Sequence, residues 1–278
     1  MKAQAQMVRW SGILLTFAGC SSSAAALDAN MPPHGDATVS DGIVTDALER
    51  DAPAHVPGTP GLGAHAIKFY HLDASDAPSI TASLKATQAS GSTIVVSVGR
   101  GDNTLFAIPT DNKLNAPYGQ LGEMHPYGFK YRDSGTAVYA FTAAKGGDDF
   151  QVSTATGKTR NSQNDEITIA AVEVIEGTKI QAFEWNEVEA PPLTSKSVTT
   201  TGPATLVAFW WGDGYPDTTS QTASPDNGFQ VVENNVDELH AFVQCSVAVK
   251  SVTAPGTYNV TWSATPTQGA QLWLVAVQ

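Results

Sequence analysis

Residues Ala204 to Asp217 read ATLVAFWWGDGYPD, an apolar run of β-branched and aromatic residues that stops in a turn of Gly, Asp and Pro. Such a run predicts a buried β-strand followed by a loop. The chain contains one close echo of it, Ser92 to Asn103, which reads STIVVSVGRGDN. The two stretches therefore predict one central strand and its following loop, used twice.

The similarity between the two halves of the chain extends beyond these strands. DDFQVSTAT matches GTYNVTWSAT, with Phe150 aligned to Tyr258, and ITIAAVEV matches AQLWLVAV. The runs that begin at Ile67 and Ile180, IKF and IQAF, also match in character. A repeat of roughly a hundred residues predicts two whole domains in tandem, because solenoid units are much shorter.

Apolar runs and turn residues alternate throughout both halves, and each half contains about seven such runs. One of them, Phe129–Tyr131, predicts a short strand. The pattern predicts an all-β chain with two tandem antiparallel β-sandwich domains, immunoglobulin-like or jelly-roll, related by internal duplication. The predicted domains span residues 63–177 and 178–278, after a disordered N-terminal tether.

The charge of the chain excludes one class of partner. The formal net charge is −12, and Lys and Arg are not clustered on any stretch. Binding to nucleic acid needs a basic face that neutralises phosphates, so nucleic acid is not a predicted partner.

The first twenty residues have the organisation of a signal sequence. Lys2 and Arg9 precede an apolar core that is too short to span a bilayer, and the core ends in Phe17-Ala18-Gly19-Cys20. This stretch resembles the signal and lipobox of bacterial lipoproteins. The resemblance implies that residues 1–19 are removed and that Cys20 becomes the lipidated first residue. Removal of two bases and no acid changes the net charge from −12 to −14.

The resemblance also implies a location. A lipid on Cys20 anchors the chain to the bacterial cell envelope, and Ser21, rather than Asp, resembles lipoproteins that are sent to the outer membrane. Residues 20–62 are rich in Pro, Gly and Ser, which predicts a flexible tether between the anchor and the folded part.

No motif of an enzyme active site is found. The chain lacks the G-x-S-x-G elbow of serine hydrolases and any Cys/His set with zinc spacing. Cys245 lies in a strand pattern, which predicts an inert core thiol. A glycan-active hydrolase that uses carboxylates such as Glu173, Asp213 or Glu233 is the weakest alternative.

No cofactor is predicted, although the acidic loops leave calcium as an alternative. Asp213 and Asp217 follow the tryptophan strand, and Asp102 lies in the equivalent loop of the first half. Calcium prefers such oxygen ligands. Asp in turns more often accepts backbone hydrogen bonds, which is the competing interpretation.

The tryptophan strand offers the first candidate ligand site. Trp210 and Trp211 are adjacent, so they point to opposite faces of a strand, and one of them is expected to face outward. An exposed ring beside Asp213, Tyr215 and Asp217 is typical of a glycan site, in which the ring stacks on the sugar and carboxylates bind hydroxyls. The alternatives are a capped sandwich edge or a contact between the two domains.

The second candidate is an insertion that only the first half contains, residues 112–128. Its Tyr118, His125 and Tyr127 show no periodicity, and long loops on rigid sandwiches often bind ligands. The tripeptide Arg100-Gly101-Asp102 resembles an integrin-binding motif, but its position predicts an ordinary turn.

Together these observations predict a lipid-anchored envelope protein that acts as a non-catalytic binding or adhesion module for a glycan or another surface protein. A structural component of a surface complex is the alternative.

Overall fold

A computed structural model describes residues 55–70, 78–157, 165–214, 221–236 and 242–278. Within these ranges the chain is all-β and antiparallel, as predicted, and no helix there is long and apolar enough to cross a membrane. The predicted lipobox with Cys20 and the predicted tether as far as residue 54 lie outside the described residues. The predicted boundary at residue 62 is wrong, because Gly61 and Leu62, assigned to the tether, already belong to the first strand. Residues Glu49–Gln278 form one compact unit.

The first half of the chain builds one large and one small sheet. Its strands are β1 (Gly61–Tyr70), β2 (Ser79–Ala86), β3 (Ser90–Arg100), β4 (Thr110–Asp111), β5 (Gly119–Gln120), β6 (His125–Pro126), β7 (Gly135–Lys145), β8 (Asp148–Ala155) and β9 (Ile167–Ile175). The large sheet has the order β1-β9-β3-β7-β5, with β6 also paired to β7, and the small sheet has the order β2-β8-β4.

The second half repeats this plan. Its strands are β10 (Ile180–Val188), β11 (Leu193–Thr194), β12 (Val198–Thr200), β13 (Ala204–Gly212), β14 (Thr222–Pro225), β15 (Gln230–Asn234), β16 (Cys245–Val252), β17 (Gly256–Tyr258), β18 (Thr261–Thr265) and β19 (Ala270–Val277). The large sheet has the order β10-β19-β13-β16-β15, and two small sheets have the orders β11-β18-β14 and β12-β17.

The pairing order identifies the topology that the sequence left open. In each half the first long strand pairs with the last, as in β1 with β9 and β10 with β19. The next strands inward also pair with each other, as in β2 with β8 and β3 with β7. This nested pairing, divided between two facing sheets, is that of a jelly roll rather than an immunoglobulin domain.

The strand register confirms the internal duplication. Val95 of β3 lies opposite Val172 of β9, and Val207 of β13 lies opposite Val275 of β19. Val207 follows Val95 by 112 residues and Val275 follows Val172 by 103, which are the separations at which the sequences match. The two pairs are therefore equivalent.

The proposed match between Ile67 and Ile180 is wrong. Ile67 pairs with Ala170 of β9, and the residue equivalent to Ala170 on β19, Trp273, pairs with Trp185. Ile67 is therefore equivalent to Trp185. Both strands contain a β-bulge near their start, and similar residue character alone did not reveal the true register.

The two large sheets pack face to face, so that the body has four layers. The side chains between the large sheets form one core, to which both halves contribute, and each large sheet has a second core on its other face. The inner strands are consequently covered on both sides, and all nine residues of β13 are buried. This explains why they are continuous apolar runs rather than alternating ones.

The contact between the large sheets depends on complementary sizes. The ring of Trp211 lies against Gly99, where an added Cβ would come within 2.7 Å of Cε3 of the ring. The Trp211 indole donates to Ser97 Oγ at 3.1 Å, and the Trp273 indole donates to Thr136 Oγ1 at 2.8 Å. Two tryptophans of the second half thus donate hydrogen bonds to hydroxyls of the first.

The two halves lie side by side with corresponding ends together. The proximal end is where β1 and β10 begin, and the distal end is where β3 and β13 stop at Arg100 and Gly212. Gly177 contacts Val277 at the proximal end, while Gly99 contacts Trp211 near the distal end. Strands of ten or eleven residues separate the two ends by about 30 Å.

Gly99→Ala should destabilise the protein, because the new methyl group overlaps the Trp211 ring and overpacking costs about 1–3 kcal/mol. Urea denaturation monitored by tryptophan fluorescence measures the change. Gly119→Ala is the matched control, since its Cβ would meet only Ala140 O at 3.7 Å. Equal denaturation midpoints for the two variants would contradict this account of the contact.

Candidate functional site

The expectation that one of the two adjacent tryptophans faces outward is wrong. Trp210 and Trp211 do point to opposite faces of β13, but both are 0% exposed. Trp210 lies in the outer core of the second sandwich, and Trp211 lies in the core between the large sheets. Because a second large sheet covers the face on which solvent was expected, neither ring can stack on a ligand.

The acids of the same loop have structural partners where they are described. Asp213 is buried, accepts a hydrogen bond from the Gly269 amide at 2.8 Å and lies 3.6 Å from Lys130 Nζ. Tyr215 and Asp217 lie outside the described residues, and their part in a ligand site stays a prediction.

The three aromatic residues of the insertion are also largely buried. Tyr118 donates to Asp111 Oδ2 at 2.8 Å, and Tyr127 donates to Gly212 O at 3.1 Å. Burial, above all, raises the pKa of both phenols. His125 stacks on Trp185 with ring centroids 3.7 Å apart, and burial is the main cause that lowers the pKa of His125. These rings brace the insertion and do not form an open aromatic surface.

The predicted calcium ligands are not brought together within the described chain. Asp102 accepts hydrogen bonds from the amide and the hydroxyl of Thr104, at 3.0 and 2.6 Å, as turn aspartates commonly do. No group of three or more His, Cys, Asp or Glu side chains among the described residues is placed to hold a metal ion. Asp217 is not among these residues, so a site that includes it stays a prediction.

The carboxylates considered for glycan hydrolysis have separate environments. Glu173 accepts from Ala64 N at 3.0 Å and from Ser92 Oγ at 2.6 Å near the proximal end. Glu233 lies 2.7 Å from His65 Nδ1 at one edge of the large sheets, and Asp213 lies at the distal end. No two of these three face each other across a groove.

The exposed aromatic side chains of the distal end lie in a loop that the sequence assigned differently. Phe129 and Tyr131 are 49% and 50% exposed, and both belong to the 127–134 loop, defined as residues Tyr127 to Ser134. The prediction of a strand at Phe129–Tyr131 is wrong. Residues 127–134 pair with no strand, and Tyr131 has φ of 50°, a left-handed conformation outside the β region.

The second sandwich holds the first part of the 127–134 loop. Glu187 accepts the Gly128 amide with both carboxylate oxygens, at 2.9 and 2.7 Å. Tyr127 bonds to Gly212 O, and Lys130 pairs with Asp213. A loop of the first half is therefore positioned by side chains and backbone of the second.

The first sandwich holds the remainder of the same loop. Ser134 Oγ donates to Gly101 O at 3.0 Å, and Asn103 Nδ2 donates to Arg132 O at 2.9 Å. The Ser134 amide donates to Tyr131 O at 2.7 Å and closes the turn. A left-handed tyrosine costs on the order of 1 kcal/mol, and such strain persists only where the surroundings hold it.

A buried ion pair fixes the neighbouring loop of the first sandwich. Arg100 is 1% exposed, donates from Nε to Asp165 Oδ2 at 2.6 Å and from Nη1 to Ala155 O at 3.0 Å. Asp165 also accepts the Asp102 amide at 2.9 Å. The Arg-Gly-Asp tripeptide is consequently part of the core and its turn, and its arginine is not available to a receptor.

A sequence signal for the exposed loop does exist. In Phe129-Lys130-Tyr131-Arg132 each aromatic residue is followed by a basic one, and the turn sequence Asp-Ser-Gly comes next. A buried strand rarely carries charge at alternate positions. The regular spacing of apolar runs nevertheless favoured the assignment to a strand.

Comparison with known proteins finds no family model that matches the chain, no similar curated protein and no similar solved structure. The class that the fold defines is a duplicated jelly-roll protein.

Glu187→Ala should loosen the 127–134 loop, because the Gly128 amide loses its charged acceptor. Loss of a hydrogen bond to a charged group amounts to roughly 1.5 kcal/mol, so hydrogen exchange at Gly128 should accelerate about tenfold. Glu189→Ala, at an exposed position two residues away, is the control. Unchanged protection of Gly128 in Glu187→Ala would refute the proposed anchoring.

Glu166→Gln should stabilise the protein at alkaline pH. Burial, followed by the charge of Asp165, raises the pKa of Glu166 from 4.5 to about 7. The contribution of the protonated form to stability is therefore complete below about pH 4.5 and is lost as the pH rises through about 7. Thermal melts should show a higher melting temperature for the variant at about pH 8 and a smaller difference at about pH 5. Glu189→Gln serves as the control, and a difference that does not depend on pH would contradict the prediction.

Proposed function

We infer that this protein is a lipid-anchored envelope protein whose 127–134 loop binds a glycan without catalysing a reaction. The observation that carries this proposal is the pair of half-exposed aromatic rings, Phe129 and Tyr131, on a loop braced by both sandwiches. Aromatic rings stack on the apolar faces of sugars, and nearby polar groups bind the hydroxyls.

Preorganisation of the loop supports a binding role. The backbone of the 127–134 loop is held by Glu187, Gly101 and Asn103 before any ligand arrives. Less conformational entropy is then lost when the ligand binds, which raises affinity without additional contacts. The left-handed conformation of Tyr131 supports the same view, because local strain of this kind concentrates at functional sites.

The charges around the loop favour a neutral glycan. Lys130 lies near Asp213, and Arg132 is followed by Asp133. These carboxylates offset the two bases, and the net charge of −12 repels anionic polysaccharides at a distance. Hydroxyl groups of a neutral sugar can accept from the bases and donate to the carboxylates.

The position of the loop also supports the proposal. The described chain begins at His55 and enters β1 at Gly61, at the proximal end, whereas the 127–134 loop lies at the distal end. An anchor at Cys20 would therefore hold the loop on the side of the body that faces away from the membrane.

Phe129→Ala and Tyr131→Ala should each weaken glycan retention about tenfold, since a stacked ring contributes about 1–2 kcal/mol beyond the hydroxyl contacts. A glycan array followed by affinity electrophoresis on the retained neutral polysaccharide measures the loss. Phe183→Ala is the matched control, because Phe183 is an exposed aromatic of β10 outside the loop. If the native chain retains no glycan, or if all three variants bind equally, the glycan proposal fails. Capture of a surface protein through the same two rings would favour adhesion instead.

A further inference from the structure

The outer core of the second sandwich contains a group of unpartnered polar atoms. Four atoms there have no hydrogen-bond partner among the described residues, and their side chains are at most 1% exposed. They are Nε1 of Trp210, Nε1 of Trp262, Oγ of Ser246 and Oε1 of Gln244. Buried polar atoms are almost always paired with protein or with a bound molecule, because an unpaired one loses its hydration without compensation. Four of them in one core therefore require an explanation.

The four side chains meet at one depth of this core. Ser246 lies directly opposite Trp210 in the pairing of β13 with β16, so the two side chains share a face of the large sheet. Gln244 follows on the same face, two residues nearer the distal end. Trp262 belongs to the same core on the facing small sheet, three residues before β18 ends at Thr265. That end is the distal one, because the short loop after it leads to the distal start of β19.

The first sandwich shows that the jelly roll does not need these polar atoms. The residues equivalent to Trp210, Trp262, Ser246 and Gln244 are, in the same order, Val98, Thr154, Ala137 and Gly135. Three of the four equivalents carry no polar side-chain atom, and the hydroxyl of Thr154 donates to Ala107 O at 3.3 Å. The unpartnered atoms are therefore a feature that the second sandwich acquired after duplication.

The distal opening of the core also differs between the two halves. In the first sandwich the guanidinium of Arg100 occupies it and pairs with Asp165. The equivalent residues of the second sandwich are Gly212 and Gln268, which carry no charge. Gln268 Oε1 accepts the Gly214 amide, as Asp165 accepts the equivalent amide of the first sandwich. The second sandwich thus keeps the contact that holds the loop and replaces the ion pair with a neutral amide.

The unpartnered atoms define the chemistry of an occupant. The indole groups of Trp210 and Trp262 can only donate, the amide oxygen of Gln244 can only accept, and the hydroxyl of Ser246 can do either. A hydroxyl group meets all of these demands, since it donates one hydrogen bond and accepts two. A charged occupant does not suit the site, because none of the four atoms carries a charge and burial of an unpaired ion is costly.

We propose that the distal part of this core binds a small uncharged molecule with a hydroxyl group, either water or a polyol of the size of glycerol. The occupant accepts hydrogen bonds from Trp210 and Trp262 and donates one to Gln244. Buried water typically makes about three hydrogen bonds to groups of this kind. The proposed glycan contact is a separate site, because Phe129 and Tyr131 are exposed and lie outside this core.

Ser246→Ala tests whether the buried hydroxyl has a partner. If an occupant binds it, the substitution removes a hydrogen bond and lowers the urea midpoint of unfolding, whereas removal of an unpaired hydroxyl raises the midpoint. Ala137→Ser, at the equivalent position of the first sandwich, is the matched control. It should lower the midpoint, because it buries a hydroxyl opposite the apolar Val98. We expect the midpoint to fall for both variants.

Nuclear magnetic resonance of the full chain with isotope-labelled tryptophan distinguishes the two occupants. If a polyol binds, titration with glycerol should shift the indole resonances of Trp210 and Trp262. The indoles of Trp211 and Trp273 are the internal control, since they donate to hydroxyls of the first sandwich and should not shift. A lower midpoint for Ser246→Ala without this selective shift identifies water as the occupant. A raised midpoint together with no selective shift would overturn the proposal.

Discussion

The packing of one large sheet on the other is the contact on which the rest of the structure depends. Equivalent positions of the two sheets carry residues of opposite size: Gly99 corresponds to Trp211, and Ala170 corresponds to Trp273. Two identical faces with large residues at these positions would clash, and two with small ones would leave cavities. Divergence after duplication has left the large residues in the second sandwich and the small residues in the first. The shared core therefore joins the two jelly rolls into one body.

This contact also explains which parts of the fold were predictable. The strands Ser90–Arg100 and Ala204–Gly212 lie where the apolar runs STIVVSV and ATLVAFWW predict them, because a run of apolar residues reports a strand that is covered. The inner strands are continuous apolar runs, which indicates cover on both faces. One of the two faces is covered by the large sheet of the other half of the chain, and no local sequence pattern identifies the residues that cover it. The exposed tryptophan was predicted wrongly for this reason, and a contact between the two domains was the correct alternative.

The candidate site escaped prediction for a different reason. Phe129–Tyr131 occupies a place in the order of apolar runs where a strand is expected, and composition alone does not reveal the backbone conformation of Tyr131. The loop is positioned by Glu187, which accepts the Gly128 amide although it is 59 residues away in sequence. Long-range hydrogen bonds of this kind override local propensity, and they are not visible as a pattern. The predicted insertion ends at residue 128, and the exposed rings of Phe129 and Tyr131 lie just beyond that boundary.

The 127–134 loop arises from a departure of the first sandwich from the duplicated plan. In the second sandwich, β15 pairs with β16 along the outer edge of the large sheet as one strand. In the first, the chain between β4 and β7 pairs with β7 only at β5 and β6 and forms a turn at Leu114 before them and the 127–134 loop after them. Because β7 runs from the distal to the proximal end, a chain that follows its edge exposes one turn at each end of the body. The chain between β4 and β7 thus exposes the turn at Leu114 at the proximal end and the 127–134 loop at the distal end, while the inner strands, which are covered on both faces, have no exposed surface from which to bind a ligand.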